Sequence, residues 1–344
     1  MRLRILLLNL VVLSATLVSC QQMPGIQAGK NAPAFQARDQ FGKRRTLSSL
    51  MEPNGLVLLF FRSADWRPFC KQQLVQLQEA REELHRHGLG LAAISYDSEA
   101  ILRDFSERRR IQYPLLADPD SNIIRSYGVL NEEATGITKG MARPGYFYIS
   151  PAFIVKEKFF ETAYTDRDTP NNVLLKLFPQ LVEGNGRDVP APYIKLRLYQ
   201  SDKVVSPGSR FTVTAEIEIP PGTHGYAPGA KGYKPIQLTL DGPAELKLQP
   251  VRYPEAKVLY LPAIQESVPV FEGRFRVFQD IVVSADRRFT DSLSVGKTLT
   301  LQGHLSYQAC DSTICYLPQT SAVSWKVEAA PLDGERSPKA IQHR

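Results

Sequence analysis

A strand-to-helix join restricts this chain's fold more than any other stretch. Six apolar residues, Leu56-Val57-Leu58-Leu59-Phe60-Phe61, lead through a short turn to Trp66-Arg67-Pro68-Phe69-Cys70 and then to Lys71-Gln72-Gln73-Leu74. The first run has the length of a buried strand. From about Phe69 to His87, Leu74, Leu77, Ala80 and Leu84 recur at helical spacing, and Gly88 stops the helix. A buried strand feeding a helix commits the region to α/β layers. It also stands one thiol, Cys70, where a helix begins. Free backbone N–H groups and the helix dipole favour negative charge there.

The alternation continues downstream. Leu89 to Tyr96 reads as a strand, Glu99 to Arg109 as an amphipathic helix, Tyr113 to Ala117 as a short strand, and Asp118 to Tyr127 as a capped helix. Tyr146 to Ile149 and Phe153 to Phe160 read as a hairpin across Ser150-Pro151, and Thr169 to Leu181 as a closing helix with Pro170 in its first turn. Residues 183–192, rich in Gly, Asp and Pro, read as a linker. Beyond it lie apolar runs near 193–199, 211–219, 236–240, 246–251, 274–283, 299–307 and 321–327, parted by Gly, Pro and Asp turns, which predict strands alone. The expected plan is an α/β domain over residues 31–183, a linker at 184–192, an all-β sandwich over 193–329 and a disordered tail at 330–344.

The N-terminus carries Arg2 and Arg4, an apolar stretch from Ile5 to Val18 too short for a comfortable membrane span, and then Leu17-Val18-Ser19-Cys20. This resembles a bacterial lipobox. The resemblance implies removal of residues 1–19 as signal peptide, lipidation of Cys20, a tether over residues 20–30, and a lipid-anchored protein of the cell envelope. Without the signal the net charge falls from +7 to +5. The basic runs Lys43-Arg44-Arg45 and Arg108-Arg109-Arg110 are not interleaved with aromatics, so no nucleic-acid partner is expected. His85 and His87 are two apart and share no helix face, so no metal is expected. No phosphate-cradling glycine loop is present, so no cofactor is expected either.

Four cysteines less Cys20 leave Cys70 alone and Cys310 near Cys315. In an oxidising compartment the close pair can be a disulfide. Two family resemblances bear on these residues. Ala32-Pro33-Ala34-Phe35, the stretch from Phe60 to Leu74 including Cys70-x-x-Gln73-Leu74, Ser95-Tyr96-Asp97, and Tyr113 to Asn131 resemble the thioredoxin-fold peroxiredoxins of the AhpC/TSA group. The resemblance implies a thioredoxin-like domain with Cys70 as the peroxide-attacking thiol. Ser63 and Arg67 stand where that family's P-x-x-x-T-x-x-C has proline and threonine, and the first cysteine of a W-C-P-x-C dithiol is likewise Arg67. Arg143, in Met141-Ala142-Arg143-Pro144-Gly145, falls near that family's active-site arginine, with Pro144 near the cis-proline of thioredoxin folds. Tyr307-Gln308-Ala309-Cys310 and Cys315-Tyr316-Leu317-Pro318-Gln319-Thr320 resemble the immunoglobulin-like N-terminal domain of the thiol:disulfide interchange protein DsbD. That implies a redox-active pair on a hairpin.

The leading expectation is therefore a thiol peroxidase. Cys70 attacks a peroxide, Arg67 and Arg143 stabilise the charges, Trp66, Pro68 and Pro144 flank the site, and Cys310 and Cys315 resolve the oxidised sulfur. A short linker would set that dithiol at about the mM range locally. A membrane thiol reductase is the expected electron donor. Two rivals stand beside it: a thiol-disulfide exchange protein with no peroxide substrate, and a binding module in which Arg67 marks a dead site.

Overall fold

A computed structural model describes residues 23–160, 165–179, 186–261, 265–293, 296–311 and 313–343. Cys20 and the expected signal peptide lie outside the described residues. The first half is a seven-stranded sheet. In chain order it is built from β1 (Gln36–Asp39), β2 (Arg44–Thr46), β3 (Gly55–Phe60), α1 (Pro68–Arg86), β4 (Leu89–Ser95), α2 (Glu99–Arg109), β5 (Leu115–Ala117), α3 (Asn122–Ser126), β6 (Gly145–Ile149) and β7 (Val155–Phe160). The strand order is β2-β1-β5-β4-β3-β6-β7, with β3, β4 and β5 parallel. Side chains alternate faces along a strand. Leu56, Leu58 and Phe60 of β3 therefore pack with Ile94, Leu116 and Phe147 on one side of the sheet. Val57, Leu59 and Phe61 pack on the other with Leu74, Leu77 and Leu84 of α1 and Phe105 of α2. Both faces are covered, which is why the run is apolar without a break. The α/β expectation for this half holds.

The second half is β-rich, as expected. One sheet holds β9 (Arg187–Val189), β10 (Lys195–Gln200), β12 (Ser209–Glu218), β15 (Leu246–Arg252) and β18 (Arg274–Val283) in the order β15-β18-β12-β10-β9. Facing it are β11 (Val204–Val205), β14 (Gln237–Asp241), β19 (Lys297–Tyr307) and β21 (Gln319–Ala329), ordered β11-β21-β19-β14. Phe211, Val213, Ala215 and Ile217 of β12 alternate inward onto Val323, Trp325 and Val327 of β21. The Trp325 indole N–H donates to the Tyr199 carbonyl at 2.7 Å, so its polar atom is satisfied inside the core. A small third sheet closes one end with β13 (His224–Tyr226), β16 (Lys257–Leu261), β17 (Glu266–Phe271) and β20 (Ala309–Cys310). A short helix, α5 (Arg287–Ser292), precedes β19.

Three findings differ from the sequence reading. Part of the expected linker is the edge strand β9, paired antiparallel to β10. Between β7 and α4 (Pro170–Leu177) a two-residue strand, β8 (Arg167–Asp168), pairs in parallel with Ser209 and Arg210 of β12, so the first half contributes a strand to the sandwich. Residues 331–343, expected to be disordered, lie folded against the first half, held by the contacts described below.

The junction of the halves is polar and buried. Asp168 accepts from Asn172 Nδ2 at 2.7 Å and Lys176 Nζ at 2.6 Å, and Thr212 Oγ1 lies 2.5 Å from both Asn172 Oδ1 and Asp280 Oδ1. Asp202 accepts from Ser201, Thr169 and Asn171. Burial pushes the Asp202 carboxyl up to about 6, against hydrogen bonds that favour its charge. Unfolded, the group titrates near 3.9, so the folded state binds the proton more tightly and stability falls as pH rises from about 4 to 6. Asp202→Asn is expected to raise the melting temperature at pH 7.5 by the equivalent of about 2 kcal/mol, with the gain shrinking towards pH 4. Thermal unfolding across that range checks it. A variant equally destabilised at every pH would contradict it.

Candidate active site

Cys70 is the third residue of α1. Arg67 immediately before the helix is extended, with φ −107° and ψ 99°, and Pro68 takes the first helical position, where a missing N–H costs nothing. The Cys70 sulfur is fully buried and accepts the Arg62 backbone N–H at 3.4 Å. Charge gathers around it. The Arg167 guanidinium, from β8, is pulled down to about 10 by burial; Cys70 opposes the shift, while Arg62 and Arg67 add to it. Cys70, Arg62 and Arg67 thus all bear electrostatically on the buried Arg167 guanidinium, and an arginine fork has the geometry to hold an anion. Arg67 also lies over the Phe69 ring, 5.4 Å from its centroid.

Of the two arginines expected to act on Cys70, Arg67 stands directly before α1, over the Phe69 ring, and Arg143 lies at the surface. The Arg143 side chain is 43% exposed and faces Glu133 at 3.9 Å. Pro144 is buried and trans, as are all peptide bonds among the described residues. Trp66 is a packing residue whose indole donates to the Tyr96 hydroxyl at 2.9 Å. Arg62 and Arg167 were absent from the sequence reading. Arg62 sits just past the apolar run, where the strand-end position was a usable signal. Arg167 carries no local signal at all.

A second polar cluster flanks the same turn. Asp97 accepts from Ser63 Oγ at 2.8 Å, the Ala64 N–H at 2.7 Å and Ser95 Oγ at 2.9 Å, and His343 Nε2 lies 2.6 Å away. The His343 ring stacks on Tyr96 at 4.3 Å. Asp65 is gripped by Arg336 through two bonds and by the Ser337 and His343 N–H groups. Burial pushes its carboxyl up, but these donors outweigh burial and hold it below the usual range. Lys71, beside Cys70, is wholly buried, donates to the Glu335 carbonyl and lies 3.7 Å from Asp333. Arg109 adds contacts to Asp333 and Glu335 at 3.0 Å each. The C-terminal segment thus supplies partners for groups that the first half would otherwise bury alone.

Cys310 and Cys315 form a disulfide. Cys310 is buried, Cys315 is exposed, and Tyr226 Oη lies 3.5 Å from the Cys315 sulfur. Asp311, pulled down to about 2 by the Ile314 and Thr313 donors, fixes the loop between them. This disulfide does not meet Cys70. Ser209, at one end of β12, lies by β8 and Arg167, whereas His224, beyond the other end, pairs with Cys310. Ten residues of β12 at about 3.3 Å each separate the two sites by roughly 30 Å. β21 repeats the measure, starting opposite Tyr307 and ending beside Val205. Resolution of Cys70 by its own Cys310 and Cys315 is therefore not available in this arrangement. Among the described residues no group of three His, Cys, Asp or Glu side chains could hold a metal ion.

An α/β layer with one buried thiol at a helix start, among arginines, joined to a β-sandwich with a half-exposed disulfide, defines a two-domain thiol redox protein. Residues 28–158 match the AhpC/TSA family, and residues 196–326 match the model described as thiol:disulfide interchange protein DsbD, N-terminal. Peroxiredoxin Bcp of Escherichia coli (strain K12) is 30% identical over 112 residues, covering 33% of this chain and 70% of that protein. The 1-Cys peroxiredoxin PER1 of Hordeum vulgare is 24% identical over 153 residues, covering 42% and 69%. The crystal structure of peroxidoxin BcpB from Mycobacterium tuberculosis aligns with a TM-score of 0.36 at 26% identity, covering 40% of this chain and 86% of that one. The chain belongs to the AhpC/TSA family, a family of thiol-dependent oxidoreductases.

Loss of the Asp65 anchor tests the tail geometry. In Asp65→Ala, native trypsin cleavage after Arg336 and Lys339 is expected to speed up about tenfold or more, as the segment opens more often. Cleavage at the wild-type rate would contradict the docking.

Proposed function

We propose that the protein is an envelope thiol peroxidase in which Cys70 is the single peroxide-attacking thiol and the reducing thiols come from outside its own molecule. The observation carrying this reading is the zero exposure of the Cys70 sulfur amid arginines. A protein disulfide needs an in-line approach to the attacking sulfur, whereas a small peroxide can enter when the site opens slightly. The thiolate attacks the peroxide's distal oxygen. The S–O bond forms, the O–O bond breaks, and the peroxide's proton leaves with the alcohol or water, so that the cysteine is oxidised by two electrons to a sulfenate. One external thiol then condenses with the protonated sulfenic acid, releasing water, and a second displaces Cys70 by disulfide exchange.

The disulfide supports a second activity of the same chain. Exposed Cys315 offers its sulfur to an incoming thiolate, with buried Cys310 as leaving group, and exposed Ile314 and Leu317 flank the approach. The roughly 30 Å separation and the exposure of Cys315 favour exchange with a different molecule over relay to Cys70. The lipobox-like Leu17-Val18-Ser19-Cys20 supports anchoring in the envelope, where a membrane thiol reductase would supply electrons.

In steady-state peroxide consumption with excess dithiol, Cys70→Ser is expected to lose activity by about 10³-fold or more, the scale on which a nucleophile matters. Cys310→Ser with Cys315→Ser is expected to keep it when a small dithiol is the donor. Peroxide consumption unaffected by Cys70→Ser would sink the reading. Separately, Cys310→Ser is expected to trap mixed disulfides through Cys315. A Cys315 thiolate that captures no disulfide-bearing partner by exchange would leave the pair a structural staple.

A further inference from the structure

β8 lies outside both family matches, which end at residue 158 and begin at residue 196. Its strand pairing is with the sandwich. The Arg167 N–H donates to the Gly208 carbonyl at 2.8 Å, the Thr169 N–H donates to the Arg210 carbonyl at 3.0 Å, and Arg167 and Asp168 register with Ser209 and Arg210. Gly208 is wedged into this join. Its φ is +82°, and a Cβ there would come within 2.4 Å of the Thr165 carbonyl oxygen and 3.1 Å of the Phe69 ring, the residue before Cys70. The turn before β12 therefore lies close both to the start of α1 and to the residues that lead into β8.

The side chain that this pairing places is a buried cation. Arg167 is 6% exposed, and its Nη1 donates to the Asp166 carbonyl at 2.5 Å. Its Nε and Nη2 are buried and donate to no acceptor among the described residues. A buried guanidinium needs an anion or acceptors nearby, since desolvating an isolated charge costs several kcal/mol. Among the groups that favour its charge, Cys70 acts most strongly, ahead of Asp166.

We propose that the sandwich domain completes the redox site: the end of β12 holds Arg167 against Cys70, where its guanidinium stabilises the thiolate and its uncommitted N–H groups serve the oxygen that leaves the peroxide. This rests on the reading of Cys70 as the peroxide-attacking thiol. As the O–O bond breaks, the electron pair goes to the departing oxygen, which takes the peroxide's proton. The oxidised sulfur remains as sulfenate beside Arg167. The DsbD-like half then has two duties at opposite ends, a disulfide at one and the Cys70 arginine at the other.

The test uses the full chain and two readouts: the rate of Cys70 oxidation by hydrogen peroxide, and the rate of its alkylation by iodoacetamide, which needs the thiolate but no peroxide. Arg167→Met keeps bulk and loses charge; Arg167→Lys keeps charge. The methionine variant is expected to be slower by roughly tenfold or more in both readouts, the size of effect one close opposite charge exerts on an ionised form. The lysine variant is expected to recover most of that loss. Gly208→Ala, which leaves Arg167 in the chain but displaces its strand, is expected to slow both rates in the same direction. Methionine and lysine variants that are equally slow would assign Arg167 to packing alone, and a methionine variant at the wild-type rate would overturn the proposal outright. If wild-type Cys70 ignores peroxide yet its alkylation still follows the charge at position 167, the peroxidase reading fails and the placement of Arg167 stands.

Discussion

The pairing of Arg167 and Asp168 with Ser209 and Arg210 involves four residues, yet much of the molecule depends on it. It makes the sandwich sheet continuous with a strand drawn from the redoxin half. It aligns Asp168, Asn172 and Lys176 with Thr212 and Asp280 in one buried polar network. Burying such groups is costly unless every partner is in place, so the network penalises any other arrangement of the halves. The network joins the halves beside the thiol. The same pairing sets the disulfide apart: a sandwich held by β8 at one end presents β20 at the other.

The surroundings of Cys70 follow from the same geometry. The family's thiol sits at a helix start, where backbone N–H groups and the dipole favour negative sulfur. Here the turn before the helix carries arginines at 62 and 67, and the junction adds a third at 167. Arg62, Arg67 and Cys70 all bear on the buried Arg167 guanidinium; on the proposed reading the arginines hold first a thiolate and then the oxygen anion of reaction. Arg67, which in sequence looks like a lost cysteine or threonine, belongs to this set.

Much of this was legible in the chain. The unbroken run from Leu56 to Phe61, the spacing of Leu74, Leu77 and Leu84, and the change to strands beyond residue 190 each follow from local periodicity, and the structure reproduces them, with the short helix α5 as an addition among the strands. Glu99–Arg109 was read to the residue, because Ser98 caps one end and Arg110 turns left-handed at the other. The misses share a cause. β8 and β13 are two and three residues long and exist only through distant partners. The tail is polar and proline-containing, so its composition suggests disorder; it orders because Asp65, Lys71 and Asp97 bind it. Arg143 shows the limit of alignment near a turn, where one residue of offset carries a side chain from the site to the surface. The intramolecular relay failed because the number of residues between two cysteines says nothing about which end of a sandwich each occupies.

The central claim is that Cys70 reacts alone and is resolved from outside. Mass spectrometry decides it on full-length protein whose Cys310–Cys315 pair is first reduced, then treated with limiting peroxide in the presence of a sulfenic-acid trap and without other thiols. The account predicts a trapped sulfenate on Cys70 and no crosslink between Cys70 and Cys310 or Cys315 in the monomer. A disulfide joining Cys70 to either residue within one molecule, or a Cys70 left untouched by peroxide, would contradict it.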